Sequence, residues 1–587
     1  MANIDIDSLP SQSPLVDTDK VAGSNAAGTS SKWLASTLWT YILSKQHILD
    51  ATSYSGTTAA DKITAAIAAL PASGGTVDAR GFADASVIDS TITLTPNTTI
   101  LFGDTAFAVE IGTIFIMDSY TAVMGAGMGR TVFTYGTNEA VDTEPAITTD
   151  NGTTYITDIT LSGFTVDGNT ANQTGPWTAS NYDTQLTELK YVDNSTIDSV
   201  QITDVLGIGI RFTAARDNNV IKNCRVDATN QDGNSKYGIR VTQTLSGDEC
   251  TGLRIVDNTV DVVGTGASQI RGIRVDANDD ATSDLYDAEI SRNRVKLPGD
   301  KSGDALGIEV FSGTVAAVPD MRKITISNNF ISCTADTGGG SIWGISANYS
   351  EDAVIAGNTI EGCTTYAIES FASNSTISGN TCRRSGVILV SAETTGEKIT
   401  YLENVAITGN TLVDTATSGG NSSAINVYAQ PTSTGITGFS ITGNVIRLGS
   451  GTEVGIKLQS DTTIDDGVIS GNTIIAGAAG TRGVHTDGSG GTIDNVVIGS
   501  NYFKDFSGHA VYLSSIARVL VGAGNHGEGN AALVFYNAAA AGSSVSFIGA
   551  GGEHGFYDAE PVAQQTGVAV SAAGIHAALV SLGLITA

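Results

Sequence analysis

A chain of 587 residues is too long for one compact core, so several domains or a repeat architecture is expected. With 69 Gly, 10 Pro, 41% apolar and only 15% charged residues, it suits many short strands joined by tight turns, and neither a helical nor a disordered protein. Sixty acidic against 30 basic residues leave a net charge of −30, which disfavours nucleic acid and anionic membrane as partners.

Residues 1–50 are polar and then read KWLASTLWTYILSK, where Trp33, Leu34, Leu38, Trp39 and Ile42 are spaced like one helical face. This piece is too small to stand alone and is expected to dock onto another protein. Residues 51–83 contain TAADKITAAIAALPASGG, an amphipathic helix followed by a glycine turn. A helix there would cover the open edge of a following stack of strands. Residues 84–150 read as irregular early coils of that stack, which extends over 84–540.

From about residue 160 one phrase recurs: an alternating apolar strand, two small residues, Asn, one residue, then another apolar residue. Its asparagines are Asn258, Asn293, Asn329, Asn358, Asn380, Asn410, Asn444, Asn472 and Asn501. Three earlier copies carry Phe164, Val200 and Cys224 at the Asn position. The shortest spacing, 22 residues from Asn358 to Asn380, approximates a bare rung, and longer ones carry loops. Alternation of period two gives each strand an inner and an outer side. Gly and Asn tolerate the left-handed backbone of a tight bend. Equivalent bends stacked about 4.8 Å apart would let asparagines hydrogen-bond along the axis. The expected fold is therefore an all-β, right-handed, single-stranded parallel β-helix of about a dozen or more rungs, each stabilised by its neighbours.

A second phrase, GIxV, occurs once per rung upstream of the Asn strand and forms another wall. If its Ile and Val point inward, the residue between them points outward. That column reads Arg211, Arg240, Arg274, Glu309, Ser346, Glu369, Ile388, Asn426, Lys457, His485 and Tyr512. Two residues along lies a second column: Asp276, Phe311, Asn348, Phe371, Val390, Tyr428, Gln459 and Asp487. Glu309 and Glu369, two rungs apart, would have backbones about 9.6 Å apart from the rung spacing, near the separation of the two carboxyls of an inverting glycosidase. Glu309, Glu369 and Asp276 are the candidate catalytic acids. Arg240 and Arg274 would bind an anionic sugar or hold a carboxylate ionised. Phe311, Trp343, Tyr349, Phe371 and Tyr428 offer faces for sugar rings. The same wall could bind sugar without cleaving it, and Ile388, Val390 and Phe371 would equally suit an interface between subunits. His485 reads as a surface residue, since no triad accompanies it.

The acidic stretch with Asp276, Asp279, Asp280 and Asp284 does not match a calcium-loop spacing, and Trp177 and Tyr182 sit in a loop between early rungs. Five scattered cysteines without CxxC spacing argue against a disulfide framework or zinc site, so buried free thiols are expected. No metal and no cofactor is expected. No basic-then-apolar leader and no membrane-span run is present. Residues 541–587 lose the Asn phrase, and Ile575, Ala578, Leu579 and Leu582 lie on one helical stripe too short to stand alone. A self-associating clamp with threefold symmetry is the economical reading.

The helix, SGGTVDARG and the Asn-rich rungs together resemble the pectate-lyase-like β-helix superfamily over roughly residues 50–540. The opening, SLPSQSPLVDTDKVAGSNAAGTSSKWLASTLWTYI, is similar to the virion-attachment leader of bacteriophage tail proteins. The ending, GFYDAEPVAQQTGVAVSAAGIHAALVSLGLITA, is similar to the C-terminal segment of phage fibre and appendage proteins. The resemblance implies a bacteriophage tailspike or related virion fibre. It further implies a homotrimer, attached to the phage tail or another virion protein through residues 1–50. Such an appendage is assembled in the host cytoplasm and recognises host cell-surface polysaccharide, with or without depolymerase activity. A free polysaccharide lyase fits less well. No glycosidase family signature is visible.

Overall fold

The computed structural model describes residues 47–531 apart from the segments 138–144, 174–184, 229–235, 244–248, 263–268, 278–283, 300–302, 313–320, 335–339, 393–400, 416–421 and 515–517 and positions 151, 206, 489 and 523. Beyond that span it describes strands at 20–24, 30–34, 537–538, 546–548 and 554–556 and a helix at 572–581. The protein is a right-handed, single-stranded parallel β-helix with three walls. One turn runs from the front-wall strand Ile208–Ala215 to the short strand Val220–Lys222, then to Arg225–Ala228, and back to the front at Lys236–Gln243. The second strand of each turn belongs to a ladder wall, the third to a back wall. Each strand pairs in parallel with its equivalent one turn later, as Arg211 does with Arg240.

Two features of the sequence force the corners. On the ladder wall, a three-residue strand is bracketed by two left-handed residues five positions apart: Asn194 and Ser199, Asn218 and Asn223, Gly252 and Asp257, Asp287 and Arg292, Asp352 and Gly357, Asn374 and Gly379. The residue after the second bend then points inside. From Asn258 upward it is a buried asparagine. Asn380 shows the pattern: its N–H donates to Asn410 Oδ1 at 3.0 Å, and its amide donates to Ile355 O and Asn410 Oδ1, both at 2.9 Å. The ladder extends one rung past the repeat read from sequence, because Asn501 bonds Asn525 in the same way. It is a chain of fully satisfied polar groups in an apolar core, which is the condition for burying them.

The glycine of GIxV has a steric cause. A Cβ on Gly238 would meet Val260 Cγ1 at 2.2 Å, and one on Gly272 would meet Val295 Cγ1 at 2.3 Å. The front-wall strand thus turns inward against the back wall only where no side chain intervenes. Inside, the central residues of the ladder strands form an isoleucine stack from Ile197 through Ile290 and Ile377 to Ile498, each at most 1% exposed.

Below the asparagines the core is aromatic. Phe102, Phe107, Phe115, Phe133 and Phe164 pack ring to ring at 5.2–5.8 Å. Phe164 and Val200, which stand at the asparagine position, are fully buried, and Cys224 nearly so. Helix Ala59–Ala68 covers the first turn. Its Thr58 and Asp61 form a capping box, and it buries Ala59, Ala60, Ile63, Ala66 and Ile67. All five cysteines are free and buried, and burial pushes the thiols of Cys224, Cys250 and Cys382 up to about 12.

The N-terminal reading needs correction. Trp33 and Leu34 do not begin a helix; they end the strand Ser30–Leu34, which pairs antiparallel with Lys20–Ser24. Helical spacing alone misled there, since five apolar positions in ten fit either period. Leu38, Trp39 and Ile42 lie outside the described residues. At the other end the expected helix spans Ala572–Ser581 and carries Ile575, with Leu582 outside the described residues.

Asn410→Ala would strand the N–H and amide of Asn380. We expect a loss of about 1–3 kcal/mol, measured by denaturant unfolding, whereas the exposed Val445→Thr should stay within about 0.5 kcal/mol. Equal stability of the two variants would contradict the ladder's role.

Candidate functional site

The front wall carries the expected outward column. Register runs Glu188, Arg211, Arg240, Arg274, Glu309, Ser346, Glu369, then Leu389, Asn426, Lys457, His485 and Tyr512. Ile388 is therefore not a member. A register shift between Tyr366 and Ile368 leaves Ala367 unmatched, so Ile388 pairs with Ile368 and points inward. Val390 follows it inside, and Ser391 takes its place beside Tyr428. Both Ile388 and Val390 are fully buried. In VILV every residue is apolar, so alternation could not reveal the missing position. Of the apolar patch expected there, Ile388 and Val390 belong to the core, and Leu389 takes the outward position.

Low on the wall the side chains form one ionic network. Arg240 Nε and Arg274 Nε reach Asp276 Oδ2 at 3.0 and 2.8 Å. Arg271 Nε and Arg274 Nη1 reach Glu309 Oε2 at 2.7 and 3.2 Å. Asp276 is 1% and Glu309 5% exposed. Burial disfavours the charge of Arg274, but Asp276 and Glu309 outweigh it and hold its pKa up. Its guanidinium also lies 5.0 Å from the Phe311 ring and that of Arg240 4.9 Å from Tyr237. Two rungs below Arg240, Glu188 accepts from Thr213 at 2.8 Å and pairs with Lys190 at 2.9 Å. Sequence reasoning missed Arg271 and Glu188. Arg271 was legible as the residue before the inward glycine in RGIRV, once that glycine is known to turn the strand.

Higher on the wall two adjacent rungs assemble a different surface. Strand Ile342–Glu351 presents Trp343, Ser346 and Tyr349, and strand Tyr366–Ser373 presents Tyr366, Glu369 and Phe371. Trp343 lies over Tyr366 with centroids 5.8 Å apart, and Tyr349 stacks on Phe371 at 5.7 Å and 27°. Between the two aromatic pairs, Ser346 donates to Glu369 Oε2 at 2.8 Å. Trp343 and Tyr366 are half-buried, whereas Tyr349 and Phe371 are nearly covered. The indole Nε1 of Trp343 is shielded and has no hydrogen-bond partner among the described residues. Tyr349 holds a left-handed φ of 55° at a register shift, a strained conformation for an aromatic residue. Tyr366 escaped the sequence reading because it precedes the small AIES motif, outside the columns drawn from GIxV. Tyr428 lies two rungs above Phe371, its hydroxyl donating to Asp461 Oδ2 at 2.7 Å, and does not join this cluster.

Near the top, Arg482 Nη1 lies 3.3 Å from His485 Nδ1, and the His485 ring packs edge-on to Tyr512. His485 is buried rather than at the surface as read from sequence. Burial, followed by the charge of Arg482, pushes its pKa down to about 4. Among the described residues, no group of His, Cys, Asp or Glu is arranged to hold a metal ion, and no helix is long and apolar enough to cross a membrane. Asp279, Asp280, Trp177 and Tyr182 lie outside the described residues.

No family model matches the sequence, and no curated protein matches it. Solved structures do. The tailspike protein of E. coli bacteriophage HK620 is 12% identical, with a TM-score of 0.49 over 81% of this chain and 84% of its own. A surface adhesin of Streptococcus pneumoniae is 12% identical, with a TM-score of 0.40 over 73% of this chain and 90% of its own. The catalytic unit of an α-1,3-glucanase from Streptomyces thermodiastaticus is 14% identical, with a TM-score of 0.38 over 76% of this chain and 68% of its own. These likenesses concern the β-helix.

Two outcomes follow from the electrostatics. Since the folded His485 binds its proton only near pH 4 and an unfolded histidine near 6.5, the unfolded chain takes up the proton first. Stability is therefore lost as pH falls from about 6.5 to 4, and His485→Gln should flatten that part of the curve. Arg274→Met leaves two buried carboxylates short of a cation and should cost about 3–5 kcal/mol, read by denaturant unfolding; a loss below about 1 kcal/mol would show the network to be dispensable.

Proposed function

We propose that the protein is a virion appendage, a tailspike or receptor-binding fibre, whose front wall binds host cell-surface polysaccharide. The observation that carries this is the aromatic–carboxylate–aromatic array on two adjacent rungs. Trp343 and Tyr366 offer ring faces of the kind that pack on the apolar side of a sugar, while Glu369, oriented by Ser346, supplies a carboxylate acceptor between the aromatic pairs. The similarity of both chain ends to phage attachment and fibre segments supports carriage on a virion, with residues 1–50 docking to a tail or other virion protein and residues 541–587 clamping a homotrimer. Host polysaccharide, the virion protein and two further copies of the chain are its partners in this reading.

Hydrolysis is the second reading, favoured by the placement of Glu309 and Glu369 two rungs apart. In it Glu369 is the general acid. Glu309 and Asp276 are engaged by arginines and fit a binding or positioning role better than proton transfer.

The test uses purified protein and capsular or O-antigen polysaccharide from the host. Trp343→Ala and Tyr366→Ala should each weaken binding about tenfold, equivalent to about 1.4 kcal/mol. Release of new reducing ends that is abolished by Glu369→Gln, with binding kept, would establish cleavage. Binding unchanged in both aromatic variants would overturn the site, and wild-type protein that ignores the host glycan would overturn the function.

A further inference from the structure

The ladder wall has an outer face that neither the fold nor the proposed glycan site uses. Its two outward columns are set by register. The first runs Thr325, Val354, Thr376, Ala406, Ser440, Val468, Val497, Leu520. The second runs Ser327, Ala356, Ser378, Thr408, Thr442, Ser470, Gly499 over the same rungs. None of these residues is charged, in a chain with 90 charged residues by the sum of 60 acidic and 30 basic. The change is abrupt. Immediately below, the same columns hold Asp198, Lys222, Arg254 and Glu289. Over the upper rungs the back wall carries Glu361, Arg383, Arg447, Lys504 and Glu528 in a single column, and the front wall carries Glu369, Lys457 and Asp487. Four of the uncharged positions are exposed aliphatics: Val354 at 38%, Val468 at 40%, Val497 at 38% and Leu520 at 46%.

The corner beside this face changes at the same height. Asp257, Arg292 and Asn328 occupy its left-handed position in the lower rungs, whereas Gly357, Gly379, Gly409, Gly443 and Gly471 occupy it above. The left-handed φ suits glycine, yet the lower rungs meet the same φ with long side chains. Above Gly357, where a Cβ would meet Asn328 Oδ1 at 2.7 Å, internal packing does not demand the glycines: a Cβ on Gly409 would meet nothing within 4 Å, and one on Gly443 only a backbone N at 4.0 Å. Side chains have been trimmed from an edge where the molecule itself leaves room for them.

We propose that this face, from Thr325 to Leu520, is where copies of the chain pack together side by side, axes parallel. This rests on the homotrimer reading for the number of copies, and adds the surface. The occupant follows from charge. Copies related by an axis along the helix bring the same rungs together, so a charge close to that axis would approach its own copies, and a face free of charge suits an identical partner there. A different protein meeting a chain of net charge −30 would instead be selected by complementary cations against carboxylates. A glycan would want aromatic rings, and this face has none. Flat columns of Ser, Thr, Ala and Gly with a glycine edge allow close approach over many rungs, and the four aliphatics supply the apolar area that an interface core needs.

Cross-linking tests it. All five native cysteines are buried, so single Val468→Cys, Val497→Cys and Leu520→Cys substitutions in the full chain introduce the accessible thiols. A short bis-maleimide should link chains through each of them, while Thr411→Cys and Thr473→Cys on the back wall should yield unlinked chains. Mass in solution of the unmodified protein is measured in parallel. An assembly of several chains with no linkage through the ladder-wall cysteines overturns this assignment and leaves the oligomer standing. A single-chain mass overturns the oligomer and this face together.

Discussion

Every buried asparagine from Asn258 to Asn501 is satisfied by the rungs on either side of it, its amide bonding a carbonyl below and the next asparagine's Oδ1 above, and the architecture depends on that two-sided requirement. An isolated rung could bury neither its isoleucine nor its amide. With the next rung in place, both are accommodated at once, the amide by Asn Oδ1 and a backbone carbonyl, the isoleucine by another isoleucine. Register is thereby fixed more tightly than apolar alternation would fix it, because a slip by one residue would leave a buried amide unpaired. Fixed register is what turns the outer walls into columns, and columns are what any function on this shaft is made of.

Much of this was legible in the residues. The asparagine phrase and the GIxV phrase together determine the turn, the wall order and most of the outward column. What escaped had physical reasons. The Asn525 rung lacked the flanking IxI strand. In VILV, a deleted position was invisible because all four side chains are apolar, and the supposed patch at Ile388 dissolved. The ionic network was half visible: Arg274 and Glu309 were in the column, but Arg271 reaches Glu309 from across an inward glycine whose bend spacing alone does not disclose. At the N-terminus, a spacing that fits a helix belongs in part to a hairpin.

The three walls divide the labour. The front wall concentrates charge low and aromatic rings in the middle. The back wall carries charges of both signs that keep it in water. The two outward columns of the ladder wall shed charge from Thr325 upward, about where its asparagine corner turns to glycine. The same short repeat supports all three because the inner residues are nearly constant while the outer ones face different surroundings, and an outer substitution leaves the stack intact.

The left-handed corners have a consequence for the length of the shaft. Because each turn enters and leaves through bends of the same conformation, a whole turn is a module with matching ends. Adding or removing one displaces everything above by a single step of about 4.8 Å, with the inner stack closing over the seam. The distance between the two ends of the shaft is thus set in discrete increments, and it can be altered by whole turns without redesigning any wall.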